Sequence, residues 1–181
     1  PFIVITGAPP EGNMRKTVDT TADALKRLGD VAAKHDMAIA FEPLNPININ
    51  TDTAVWELDH GLELVERVNH PAVGICIDSW NVWETPDLTD VIRQCGKRIR
   101  VIQLSDWKTP RSTADRYSLG TGEIDFVPMM RAIRQTGFDG PWVVEILSSL
   151  HLDGSLWKAD MDEVLRKNHE AFDRLWQESA A

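Results

Sequence analysis

Hydrophobic residues along the chain follow two alternating patterns: short continuous apolar runs, and longer stretches in which apolar residues recur every three or four positions. The continuous runs are rich in β-branched side chains, which is typical of parallel strands covered on both faces. They predict strands at Phe2–Thr6, Ala38–Phe41, Val73–Ile77, Ile99–Leu104 and Trp142–Ile146. The periodic stretches predict helices at about Thr17–His35, Thr53–Val68, Asp87–Cys95, Phe126–Thr136 and Asp162–Gln177.

Five strands alternating with five helices indicate a parallel α/β architecture. Polar residues just before the later helices are predicted to cap them, namely Asp52, Thr85 or Asp87, Asp125 and Asp160. Two arrangements fit the alternation: an open doubly wound sheet and a (β/α)8 barrel. The spacing of the repeats does not decide between them, so the residues at the strand ends have to.

Four consecutive predicted strands end with a side chain that offers oxygen to a cation. The segments AIAFE, GICID, VIQL and WVVE contribute Glu42, Asp78, Gln103 and Glu145, and Asp106 follows Gln103 closely. Because parallel strands present their carboxyl ends at one edge, these groups are expected to meet there. A single acid among apolar neighbours is often a paired core acid or a helix cap. Four in succession favour a shared site, because an unpaired buried carboxylate is costly.

The residue types at the strand ends indicate which cation would suit them. Three carboxylates and one amide form a hard, oxygen-rich ligand set, which suits Mn²⁺ or Mg²⁺ better than zinc. None of the five histidines lies at a predicted strand end, so the sequence does not indicate a histidine-rich zinc site. We therefore expect a divalent cofactor, Mn²⁺ or Mg²⁺.

A long loop and several tryptophans follow the predicted strand ends. The loop from Lys108 to Ile124 contains Arg111 and Arg116, and loops of this length in a compact domain are often binding loops. A solvated basic loop is the alternative. Trp80, Trp83 and Trp107 are candidates for an apolar wall against the C–H faces of a sugar, although ordinary core packing also explains tryptophans.

Composition limits the function classes further. The chain has 181 residues, with 19 Lys and Arg against 28 Asp and Glu, a formal charge of −9. This length and 43% hydrophobic content favour one domain over residues 1–181. An acidic surface argues against nucleic acid as a partner. The chain has two cysteines, no apolar run of about 18 residues and no visible leader. We therefore expect a cytoplasmic protein that makes no contact with a membrane.

The motifs FEPLN, IDSWN, VIQLSDW, LGTGEIDF and VVEIL occur in the order seen in the sugar phosphate isomerase/epimerase family, the xylose isomerase-like TIM barrels, which this chain resembles. The resemblance implies a partial (β/α)8 TIM barrel that contains strands four to eight with their helices. Strands one to three have no counterpart, so we expect an N-terminally incomplete domain. Truncation, residues missing from the sequence, or completion by another chain would each account for it.

The resemblance also implies roles for individual residues. The metal ligands would be Glu42, Asp78, Gln103 and Glu145, with Gln103 standing where the family usually has histidine. Glu42 and Glu145 would also transfer protons. Asn81 replaces a histidine that the family often has, and Arg116 resembles the family's substrate-contacting arginine. The substrate-binding residues expected at this site are Asn81, Arg116, Trp107 and Asp106.

The function implied by the resemblance is that of a divalent-metal-dependent isomerase or epimerase acting on a sugar, sugar phosphate or cyclitol through an enediolate. A metal-dependent lyase or dehydratase on a related polyol or keto-sugar is the second enzyme hypothesis. A non-catalytic polyol-binding subunit is the third, because two expected histidines are replaced. The expected partners are a small sugar or polyol and further copies of the chain in a homo-oligomer.

Overall fold

The structure, a computed structural model, describes residues 1–109 and 115–180, so Arg111 lies outside the described residues. The strands are β1 (Phe2–Val4), β2 (Ile39–Phe41), β3 (Val73–Asp78), β4 (Ile99–Leu104) and β5 (Trp142–Val144). The helices are α1 (Met14–Lys34), α2 (Leu58–Val68), α3 (Ser79–Val82), α4 (Leu88–Cys95), α5 (Phe126–Gln135) and α6 (Met161–Glu178). All five predicted strands and all five predicted helices are present, and the short α3 was not predicted.

The strand order decides between the two architectures. The sheet runs β1-β2-β3-β4-β5 and every neighbouring pair is parallel. An open doubly wound sheet reverses its strand order at a switch point, whereas a barrel adds each strand on the same side. Consecutive helices also pack on one another, α1 on α2, α4 on α5 and α5 on α6. The predicted partial barrel is confirmed.

The two faces of the sheet carry different side chains. One face packs large apolar residues against the helices, among them Phe41, Ile75, Ile77, Ile102 and Leu104. The other face is the concave interior, where Ala40, Cys76 and Val101 form a separate small cluster. Since side chains alternate along a strand, the residues two positions further on also face this interior. Those residues are Glu42, Asp78 and Gln103.

A register shift between β3 and β4 brings Gln103 opposite Asp78. Ile75 pairs with Ile99, but Cys76 pairs with Val101, so one extra residue lies in β4. Gly74 accommodates this shift, because a Cβ there would lie 2.1 Å from the carbonyl oxygen of Arg98. Without the extra residue, the alternate set of β4 side chains would face the interior. Gln103 would then lie on the other face of the sheet, away from Asp78.

The helix starts differ from the sequence prediction in several places. The helix predicted from Thr53 begins at Leu58, and Asp52 lies in a preceding turn rather than at the cap. Thr85 does not cap α4; its hydroxyl accepts the backbone N–H of Leu58, the first residue of α2. Asp87 and Asp125 occupy the N-cap positions of α4 and α5 without a capping side-chain hydrogen bond. Asp160 caps α6 as predicted, accepting from the N–H groups of residues 162 and 163.

Apolar side chains are exposed at the two edge strands of the sheet, β1 and β5. Beside β1 they are Phe2, Ile3 and Ile5, and beside β5 they are Val143, Val144 and Leu147. Over residues 1–109 and 115–180, no helix combines the length and apolar character needed to cross a membrane. The unpaired edges of β1 and β5 are the places at which the sheet can add further strands.

Candidate active site

Three acidic side chains converge at the carboxyl ends of the strands. Glu42 follows β2, Asp78 ends β3 and Glu145 follows β5, and one carboxylate oxygen from each lies within 4.8 Å of the others. Glu42 and Asp78 are buried, and Glu145 is partly exposed. The strand alternation that turns Ala40 and Cys76 inward also turns these acids inward. These three acids are three of the four residues at which the sequence predicts cation ligands.

Asn81 lies between two of the acids. Its Nδ2 donates to Glu42 Oε1 at 2.7 Å and to Asp78 Oδ2 at 3.0 Å, and the residue is almost fully buried. Its Oδ1 accepts the backbone N–H of Asn45 at 3.0 Å. Asn81, which was expected to contact substrate, therefore donates both of its amide hydrogens to carboxylates. Its contact with substrate stays a prediction.

Arg116 bridges the other pair of acids. Its Nη1 donates to Asp78 Oδ2 at 2.7 Å and to Glu145 Oε2 at 2.9 Å, with the residue only 4% exposed. Its guanidinium lies 5.0 Å from the centre of the Trp80 ring, a cation–π arrangement. The backbone N–H of Arg116 donates to the carbonyl of Leu147, which joins the loops after β4 and β5. Arg116 thus supplies one positive charge directly to the acidic cluster.

Gln103 reaches the cluster through its amide nitrogen. Nε2 donates to Glu145 Oε1 at 2.7 Å, while Oε1 accepts from Cys76 Sγ at 3.0 Å. Ligation of a cation by the Gln103 oxygen would require the amide group to turn over, which would exchange these two contacts. Gln103 is beside the acids as expected, and its role as a ligand stays a prediction.

Burial and repulsion from neighbouring carboxylates raise the pKa values of Glu42 and Glu145. Burial, helped by the charges of Asp78 and Glu145, raises the pKa of Glu42 to about 8. Burial and the Asp78 charge likewise raise the pKa of Glu145, against the opposing effect of Arg116. Three carboxylates face one guanidinium, so the cluster has a net negative charge when all three carboxylates are ionised. This donor set of hard oxygens with uncompensated charge fits a divalent cation.

Asp106 and Trp107 make contacts within the loop after β4 and with a neighbouring tryptophan. Asp106 Oδ1 accepts the N–H groups of Trp107 and Ile124, and Oδ2 accepts that of Gly122 at 2.7 Å. Gly122 is required there, because a Cβ would meet the carbonyl oxygen of Trp107 at 2.2 Å. Asp106 therefore orders the loop after β4. Trp107 packs its ring 5.0 Å from that of Trp83, and direct contact of Asp106 or Trp107 with substrate stays a prediction.

Asn45 and Cys76 belong to the site but were not among the predicted residues. Asn45 is fully buried three positions after Glu42, and Cys76 is fully buried two positions before Asp78 on the same face of β3. Strict alternation along β3 would have identified Cys76 from sequence. Asn45 gave no comparable signal, because its hydrogen bonds depend on how two loops meet.

Comparisons with known proteins identify the family and the fold. 3-Dehydroshikimate dehydratase of Pseudomonas putida is 30% identical over 136 residues, which cover 70% of this chain and 20% of that protein. L-Ribulose 3-epimerase of a Methylomonas strain is 26% identical over 151 residues, 83% of this chain and 49% of the relative. A crystal structure of a Sinorhizobium meliloti protein matches with a TM-score of 0.84 and 27% identity over 96% of this chain and 63% of that one.

The chain thus spans half or less of the length of these two curated relatives. Their names describe an epimerase and a dehydratase. The family model of the xylose isomerase-like TIM barrel matches residues 1–170, and this chain belongs to that family.

Proposed function

We propose that the protein is a divalent-metal-dependent epimerase or isomerase that acts on a small sugar or polyol next to a carbonyl group. The convergence of Glu42, Asp78 and Glu145 at the interior mouth of the sheet carries this proposal. The names of the relatives, which include an epimerase of a ketose, support the reaction class. Mn²⁺ or Mg²⁺ is the proposed cofactor, because the donors are hard oxygens.

The proposed ligands are Glu42, Asp78 and Glu145, with the Gln103 oxygen as a fourth. When bound, a divalent cation would polarise the substrate carbonyl and acidify the adjacent C–H group. Arg116 would keep Asp78 and Glu145 oriented through its two short hydrogen bonds. Each acid keeps unused lone pairs in this arrangement, so the guanidinium and a cation do not compete for every oxygen.

Glu42 and Glu145 are the proposed proton-transfer groups. They come from β2 and β5, the outermost of the four strands that contribute to the site, so a substrate bound between them would meet one carboxylate on each side. One would remove the proton next to the carbonyl, which gives an enediolate, and the other would return a proton to the opposite face. Asn81 holds Glu42 and Gln103 holds Glu145 at 2.7 Å, which fixes the direction of each carboxylate.

A dehydratase is the second candidate, favoured by the 30% identity to 3-dehydroshikimate dehydratase. The same proton removal next to a carbonyl would then be followed by loss of a β-hydroxyl as water. No additional cofactor is needed for this outcome, and the carboxylate that returns a proton in epimerisation would instead protonate the leaving hydroxyl.

Solvent exchange distinguishes these functions. We expect the Mn²⁺-loaded protein to incorporate deuterium from heavy water next to the carbonyl of a ketose such as ribulose, as followed by NMR. Glu42→Gln and Glu145→Gln should each lower this rate by about 100-fold or more, and Glu170→Gln, on the exposed face of α6, should not. Loss of water from 3-dehydroshikimate, seen as formation of an aromatic product, would favour the dehydratase. Tight Mn²⁺ binding with neither reaction would instead favour a non-catalytic polyol-binding subunit.

A further inference from the structure

Asn45 is a fully buried polar residue whose side chain contacts none of the three acids directly. Its Nδ2 lies 3.3 Å from the carbonyl oxygen of Trp80 and 3.5 Å from that of Asn81, and donates to Glu84 Oε2 at 3.1 Å. Its Oδ1 accepts the N–H of Ile47. The side chain thus joins the loop after β2 to helix α3, which follows β3.

The same junction fixes the orientation of the Asn81 amide. The backbone N–H of Asn45 can only donate, so it requires the oxygen of Asn81 to face it. Nδ2 must then face Glu42 and Asp78. The reversed amide would place its oxygen against two carboxylates and its NH2 group against an N–H, which breaks all three of these hydrogen bonds.

We propose that Asn45 is a positioning residue for the cation site, which it controls through Asn81. By pinning the loop after β2 to α3, it holds the Asn81 amide in the orientation that spaces Glu42 and Asp78 for a shared cation. This inference rests on the proposed metal site. Partners of metal ligands that act in this way typically change metal affinity by about 10- to 100-fold.

Mn²⁺ binding to the metal-free protein, measured by calorimetry, tests the proposal without any substrate. Asn45→Ala should weaken Mn²⁺ binding by about 10-fold or more. Thr51→Ala, at an exposed position of the same loop, should leave it unchanged. Asn45→Asp keeps the shape and the acceptor for Ile47 but loses the donor. It also places a second carboxylate against Glu84 Oε2, so we expect it to weaken Mn²⁺ binding by breaking the junction between the loop and α3, and unchanged or tighter binding would contradict a role for this junction.

A double-mutant cycle tests whether Asn45 acts through Asn81. In an Asn81→Ala background, Asn45→Ala should change Mn²⁺ affinity by less than about twofold. Two independent, additive losses would overturn the proposal, as would unchanged affinity in Asn45→Ala. If the unmodified protein binds no Mn²⁺, the proposed function fails. Urea unfolding of the metal-free protein then judges the positioning role, and additive effects of the two substitutions would overturn it.

Discussion

Two buried side chains hold the three carboxylates of the acidic cluster, and each of them bridges a pair of acids. Asn81 serves Glu42 and Asp78, while Arg116 serves Asp78 and Glu145. The donors direct the acids toward one another although like charges repel. Burial close to the other two carboxylates raises the pKa of Glu42. When the acids are ionised, the mouth of the sheet carries excess negative charge that a cation would neutralise.

The pH dependence of stability follows from that raised pKa. Unfolded, Glu42 regains its ordinary pKa of 4.5, whereas in the folded metal-free protein the pKa is about 8. The folded state therefore binds the proton more tightly between these values, and the stabilisation present below pH 4.5 is lost as the pH rises through 8. We expect the Tm of the metal-free protein to fall by several degrees between about pH 5 and 8.5.

Calorimetric melting of the Glu42→Gln variant provides the control for this pH effect, since the amide cannot titrate. Its Tm should decline less steeply over the same pH interval. Equal slopes in the two proteins would show that Glu42 is not the group responsible. Saturating Mn²⁺ should reverse the slope of the unmodified protein, because the cation binds the ionised acids and releases their protons.

At the scale of elements, the register shift in β4 decides which side chains reach the site. Gly74→Ala should disturb it, because the added Cβ would lie 2.1 Å from a backbone oxygen and beside the Arg100 side chain. We expect a loss of about 2 kcal/mol or more in the free energy of unfolding, together with weaker Mn²⁺ binding as Gln103 leaves its place opposite Asp78.

Urea unfolding and calorimetry measure these two effects of Gly74→Ala. Gly154→Ala is the matched control, because its Cβ would meet nothing within 4 Å, so both quantities should stay close to those of the unmodified protein. Full stability of Gly74→Ala would contradict the importance of the close approach.

The elements were predictable where buried apolar runs set them. The bounds of β4 match the sequence prediction at both ends, as does the first residue of α5. The predicted start of α2 was wrong, because Val55 fits the helical period but lies buried in the preceding turn. There the Val55 carbonyl accepts a hydrogen bond from the Thr53 hydroxyl.

The meeting of Glu42 and Asp78 at one edge of the sheet also followed from sequence. The hydrogen bonds that hold them did not, since Arg116 donates from a loop and Asn81 from the short, unpredicted helix α3, and no periodicity encodes these contacts.

At the scale of the whole molecule, the five-stranded sheet ends in two apolar strands. Ile3 is 38% exposed and Val143 is 43% exposed, on β1 and β5 respectively. Such strands pair readily with other chains. We expect the 181-residue chain to self-associate with increasing concentration, and the double variant Ile3→Lys with Val143→Lys to do so much less.

Sedimentation velocity over a range of concentrations measures this association. Gln177→Lys, an exposed position on α6, controls for the added lysine, because it lowers the magnitude of the chain's negative charge and should not reduce association. Equal association of the control and the double variant would contradict a role for the strand edges.

The central claim is that Glu42, Asp78 and Glu145 share one divalent cation, and the metal content of the protein tests it most directly. After incubation with Mn²⁺ and gel filtration, elemental analysis should find about one ion per chain. Glu42→Gln, Asp78→Asn and Glu145→Gln should each retain little or none, while Glu170→Gln should retain as much as the unmodified protein. Equal metal content in all five proteins would contradict the account.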